Sequence, residues 1–245
     1  MQELDNVKIN FDSSGLWVLN IALGLVMFGV ALGITMDDFK QLIKNPKLFF
    51  IGVLSQFVFL PCVTFLLVVL IKPEPSIALG MFMVAACPGG NISNFMTHLA
   101  KGNTALSISL TSMATFLAIF MTPFNFQFYS NLYEPTSEIL QTVQLDSYEL
   151  IKLVILILGI PLVFGMLLRY KNETLALKLS RLLKPLSILV FVAIVIIAFS
   201  KNIDVFNNYI HHVLFIGIFH NIVALLLGFF VAKLFSLSFQ NQKTL

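Results

Sequence analysis

The chain has 245 residues, 58% of them hydrophobic and only 11% charged, with a formal net charge of +3. Soluble domains run at about 45–50% apolar and about 25% charged residues, so this composition excludes an ordinary soluble domain and points to a membrane protein. The charges are scattered over short loops with no basic cluster interleaved with aromatics, which argues against nucleic acid as a partner.

From the N-terminus, residues 1–15 ("MQELDNVKINFDSSG") are polar and acid-leaning. They lack the basic start of a signal peptide and read as an uncleaved tail outside the membrane. The rest, 16–245, reads as one transmembrane domain. A helix needs about 20 apolar residues to span a bilayer, and seven passages are expected on that basis: Leu16–Thr35, Leu48–Ile71, Ile77–Leu99, Thr104–Phe124, Leu150–Leu168, Leu182–Phe199 and Val213–Phe235. Between them, only Asn125–Glu149 is long, polar and acidic. The fold class is therefore all-α and polytopic.

The third passage contains "AACPGGNISNF", Ala85 to Phe95, which opens an apolar segment with proline and glycines and then supplies polar side chains. Lys and Arg collect on the cytoplasmic side of membrane proteins. If this passage crosses once and the N-terminus is outside, eleven basic residues fall inside and four outside. If it does not cross, the two most basic loops fall on opposite sides. The break therefore belongs to a crossing helix, with the C-terminus cytoplasmic.

Pro88 cannot donate a backbone bond and disfavours helix just before it. Gly89 and Gly90 loosen the backbone, and Asn91 or Ser93 is expected to cap a restarted helix. Lipid offers no hydrogen bonds, so such a backbone belongs inside protein or along a watery cavity. Half-helix ends at this depth are how many secondary transporters hold ions and substrates.

In the fourth passage Thr104, Ser107, Thr111, Thr115 and Thr122 form a hydroxyl stripe, with Ser107 and Thr111 stacked at i, i+4. Uncharged oxygens of this kind suit a hard cation such as Na⁺. They equally suit helix-to-helix hydrogen bonding in a membrane, and the spacing leaves both readings open. Gln56 lies five residues before Pro61, which frees the Phe57 carbonyl. His220 and Asn221 are a polar pair in the seventh passage, costly unless they face protein or a cavity. Asp37 and Asp38 read as solvated residues ending the first helix, and Gly159-Ile160-Pro161 as a kink. Cys62 and Cys87 lie in apolar runs and give neither a disulfide framework nor metal spacing. No nucleophile elbow, phosphate loop or metal-spaced His pair is present, so an enzyme is not expected.

Around "CPGGNISN", through "HLAKGNTALSISLTSMATF", and again at "GVLSQFVFLP" and "FHNIVALLLGFFVAKL", the chain resembles the bile acid:sodium symporter family. The resemblance covers nearly everything after the N-terminal tail. It implies a ten-helix inverted-repeat fold in which two broken helices cross, with sodium sites behind the crossing. Carried over residue by residue, it implies that Ser93, Asn94, Ser107 and Thr111 contribute to one sodium site and Gln56 to another, while Asn91 faces the substrate cavity. His220 and Asn221 are further candidates for substrate binding.

The resemblance departs at the end. In the family, the run "SLSFQNQKTL" precedes a second broken helix carrying Glu-x-Gly-x-Gln-Asn, whose acid serves both sodium sites. Nothing follows Leu245, and the expectation is a fragment of a longer reading frame that lacks this helix and the last one. The function implied is sodium-coupled symport of an organic anion, a bile acid or smaller carboxylate, by alternating access. The partners would be Na⁺, the anion and the lipid bilayer of a bacterial inner membrane or plasma membrane. A membrane-inserted remnant without transport, or a heptahelical receptor, are the alternatives. The receptor reading gives no reason for Pro-Gly-Gly-Asn in mid-span.

Overall fold

The computed structural model describes residues 13–142, 152 and 154–245. The described residues are helical, with no strand among them. Helix α1 is Ser13–Ala31, α2 Met36–Lys44, α3 Pro46–Leu54 and α4 Leu60–Ile71; α5 is Pro75–Ala86, α6 Asn91–Leu99, α7 Thr104–Leu132 and α8 Glu134–Thr142. After the second stretch outside the description come α9 Ile160–Lys171, α10 Glu173–Lys201, α11 Ile203–Leu234 and the short α12 Phe239–Gln242.

Among the described residues, four helical stretches are long and apolar enough to cross a membrane: Pro46–Ile71, Thr104–Leu132, Glu173–Lys201 and Val213–Leu234. Asn20–Ala31 and Pro75–Ala86 are apolar but shorter. The tail read at 1–15 falls outside the described residues up to position 12, as do 143–151 of the segments around the fifth passage.

The chain forms two compact units. The first begins at Asp37, continues through α8, and takes up again at Val213 within α11. Its α3 and α4 form one apolar run interrupted by a π-bulge at Ser55–Phe59. The cause is Pro61, which has no N–H for the Phe57 carbonyl and whose ring would crowd it, so the helix takes in an extra residue ahead of the proline. Helix α7 is the centre of this unit and packs against α3, α4, α5, α6 and α8.

The stretch from Asn125, read from its polarity as a loop, is helix to Leu132 and again from Glu134 to Thr142. Its inward face explains this: Asn125, Phe126 and Ser130 are buried, and Tyr129 stacks among Phe65 and Phe82. The two acids read as ending the first helix instead begin α2, where carboxylates complement the helix dipole. Asp37 is solvated and pairs with Lys40 at 2.9 Å. Asp38 turns inward, half-buried, and accepts from Ser112 Oγ at 3.5 Å. Next to it, Phe39 meets Phe116 edge-on, one turn further along α7.

The second unit contains α1, α9, α10 and the first turns of α11. Here α1 packs against both α9 and α10. The expected kink is a second π-bulge, Ile155–Gly159, directly before Ile160-Pro161. Gly165 of α9 is essential to the packing. A Cβ there would lie 2.5 Å from Ala31 Cβ and 3.1 Å from the Phe28 carbonyl oxygen, so α1 and α9 meet backbone to backbone.

Candidate ion-binding site

The site is built around the break between α5 and α6. Cys87 leaves the helix with φ −75° and ψ 148°, ahead of Pro88. Gly90 is extended, with φ −95° and ψ 174°, and is itself the cap residue of α6. Neither expected cap operates. Asn91 is the first helical residue, its side chain outside the described part, and Ser93 Oγ donates back to the Gly90 carbonyl at 2.7 Å. None of the described glycines has positive φ. The break therefore does not use glycine for a left-handed turn; an added side chain at Gly90 would meet open space, and one at Gly89 only Ser93 Oγ at 3.9 Å.

Past the break, one turn of α6 meets the hydroxyl stripe of α7. The Asn94 carboxamide oxygen accepts from Ser107 Oγ at 2.6 Å and from Thr111 Oγ1 at 3.1 Å. Thr97 Oγ1 in turn donates to Ser107 Oγ at 3.3 Å. The i, i+4 spacing of Ser107 and Thr111 thus places two hydroxyls over one amide oxygen, as one helix face allows. A cavity of about 130 Å³ opens beside this cluster and is lined by Gln56, Phe57, Gly89, Ser93, Ser107 and Thr111, among others. Five of the six polar residues expected at the ion sites or the break therefore come together: Gln56, Ser93, Asn94, Ser107 and Thr111.

The last two carbonyls at the end of α5 are not left free for an ion. Gln56 Nε2 donates to the Cys87 carbonyl at 2.8 Å, and Thr122 Oγ1 donates to the Ala86 carbonyl at 2.7 Å. The Phe57 carbonyl that Pro61 frees is taken by Asn125 Nδ2 at 2.9 Å. Side-chain oxygens on the cavity wall are then those of Ser55, Gln56, Ser93, Ser107, Thr111 and Thr244; Asn94 does not line it and meets it through its bonds to Ser107 and Thr111. All are neutral, and among the described residues no group of three His, Cys, Asp or Glu side chains comes together. Neutral, hard oxygens in a small cavity fit a hard monovalent cation.

His220 and Asn221 have different surroundings, because consecutive residues on a helix point about 100° apart. His220, 5% exposed, shares a 2.8 Å hydrogen bond with Thr64 Oγ1. Asn221 is exposed, donates to the Gly217 carbonyl, and lines a second cavity of about 320 Å³ together with Gln56 and Gln242. The turn from α6 to α7 is tied to the α12 segment: Asn103 caps α7 by accepting from Leu106 N, and its Nδ2 donates to Asn241 Oδ1 at 3.0 Å. Sequence reasoning missed Asn125, Thr64 and Asn241. All three lie far along the chain from their partners, and no local pattern announces them.

Known proteins match this sequence along most of the chain. The Sodium Bile acid symporter family profile matches residues 20–209. An uncharacterized sodium-dependent transporter of Bacillus subtilis, YocS, is 33% identical over 245 residues, covering 96% of this chain and 72% of the relative. The mouse ileal sodium/bile acid cotransporter is 32% identical over 219 residues, covering 89% of this chain. The mouse sodium-dependent organic anion transporter is 29% identical over 229 residues, covering 92% of this chain. The chain spans 61% and 58% of the lengths of these two mouse proteins. With a profile match over most of its length and a broken helix facing a hydroxyl stripe, the chain belongs to the sodium bile acid symporter family.

Proposed function

We propose that this chain belongs to a sodium-coupled symporter that imports an organic anion by alternating access. The observation that carries the reading is the Asn94 carboxamide held by Ser107 and Thr111 across the break, beside a cavity that Gln56 and Ser93 also line. Ser93, Asn94, Ser107 and Thr111 take one sodium ion, and Gln56 serves a second. Asn91, His220 and Asn221 serve the solute. The relatives' names, sodium/bile acid cotransporter and sodium-dependent organic anion transporter, support an organic anion such as a bile acid or smaller carboxylate as that solute.

In this reading residues 16–245 form seven passages of a ten-helix inverted-repeat fold, with the N-terminus outside and the C-terminus in the cytoplasm. The distribution of Lys and Arg between the loops supports that orientation. Two Na⁺ entering with a monoanion carry net positive charge inward, so uptake responds to membrane voltage. The test is uptake of radiolabelled sodium and of taurocholate into proteoliposomes. Replacing sodium with choline abolishes taurocholate uptake if the reading holds; uptake at full rate in choline overturns it.

A further inference from the structure

Three carbonyls in the first unit lose their helical partners to proline or to the end of a helix, and three side chains take them in a closed circuit. Asn125 of α7 holds Phe57 in the bulge. Gln56, the residue before Phe57 in the bulge, holds Cys87 at the end of α5. Thr122 of α7 holds Ala86, the residue before Cys87. The circuit closes because Thr122 and Asn125 are three apart on one helix and face the same way. Its core is buried: Phe57 is 1% exposed, Ala86 0% and Asn125 4%.

On the far side of the break, the same helix α7 holds Asn94 through Ser107 and Thr111. From Thr111 to Thr122, α7 advances about 16 Å at about 1.5 Å per residue. It therefore grips the broken helix on both sides and acts as a splint that sets the width of the gap. The two groups on the break side, Thr122 and Asn125, do not line the cavity.

We propose that Thr122 and Asn125 are positioning residues for the cation. By holding the Ala86 and Phe57 carbonyls, they fix where α5 ends and where Gln56 points, and so the spacing of Gln56 and Ser93 around the ion. This rests on the sodium-symport reading, but the test separates the two. The intact chain is reconstituted in lipid nanodiscs, and its thermal unfolding is followed as sodium replaces choline at constant ionic strength. A ligand bound only by the folded state raises stability as the logarithm of one plus its concentration over Kd, without saturating, so the sodium concentration at which the rise sets in (the sodium midpoint) reports affinity without any transport.

Thr122→Val keeps the shape and removes the donor, leaving a buried carbonyl unpaired. It is expected to raise the sodium midpoint about tenfold, as is Asn125→Leu, while Thr122→Ser restores it to within about twofold. Variants that unfold earlier in choline yet keep the wild-type sodium midpoint overturn the proposal and leave these residues as ordinary interhelical bonds. A wild-type chain with no sodium response overturns the sodium-site reading, and the positioning role with it. If Thr122→Val does not fold, Thr122→Cys replaces it. Its weaker donor must give a midpoint above the threonine value, and an unchanged midpoint overturns the proposal.

Discussion

The two units use the same backbone device with opposite contents. In the first, the π-bulge Ser55–Phe59 precedes Leu60-Pro61; in the second, Ile155–Gly159 precedes Ile160-Pro161. Each is caused by a proline that removes one backbone donor. The first bulge carries Ser55 and Gln56, lines a cavity, and has its freed carbonyl taken by a buried asparagine. The second is wholly apolar, and the helix that follows it meets α1 at Gly165 with no room for a methyl group. The difference teaches that a bulge is only an opportunity. It frees a carbonyl, and neighbouring side chains decide whether that becomes a site or a packing joint.

That contrast can be attacked from either side. The largest effect is expected at the packing joint. Gly165→Leu forces α1 and α9 apart against backbone atoms, and a loss of about 3 kcal/mol or more is expected, read as failed expression or early unfolding in mild detergent. At the polar unit, Asn94→Ala removes the shared acceptor of two hydroxyls. It should weaken sodium binding about fiftyfold while unfolding in choline shifts little, measured by sodium-dependent thermal stabilisation.

A sharper test exchanges the contents of the two bulges. Ser55→Ile with Gln56→Leu should keep the helix and lose the sodium response. Ile155→Ser with Leu156→Gln should cost about 1–3 kcal/mol and gain none. If the second exchange confers sodium dependence, the distinction fails. The smallest effects are expected at two places that look sensitive and are not. Gly90→Ala meets open space at a negative φ and should change stability by no more than about 1 kcal/mol. Lys40→Ala removes an exposed ion pair with Asp37, also within about 1 kcal/mol by thermal unfolding.

How much of this was legible in the sequence follows from the range of each interaction. The break at Pro88, the stacking of Ser107 on Thr111, and the freed Phe57 carbonyl are local consequences of residue type and spacing, and each was readable. The fate of that carbonyl was not, because Asn125 lies 68 residues away and looked like the start of a polar loop. Thr64 and His220 are 156 residues apart, and neither predicts the other. Helix α7 misled in a different way. Ser109 and Ser112 are buried as fully as Ser107, so its hydroxyls occupy more than one face and a single stripe understated them. The aspartates showed the same limit: Asp37 and Asp38 look alike in sequence, yet the rotation of about 100° between neighbours on a helix sends the first to water and the second to Ser112.

The capping circuit also has a consequence for biogenesis. The chain is made from the N-terminus, so the bulge and the end of α5 leave the ribosome well before Thr122 and Asn125. Until α7 arrives, the Phe57 and Ala86 carbonyls have no protein donor from that helix, and bare lipid supplies none. The expected consequence is that the hairpin of α4 and α5 keeps contact with water or the insertion machinery until α7 arrives to pair those carbonyls. A nascent chain stalled when residue 121 has just cleared the ribosome should remain accessible to a water-soluble thiol reagent at Cys87, and one stalled after α7 has emerged should not.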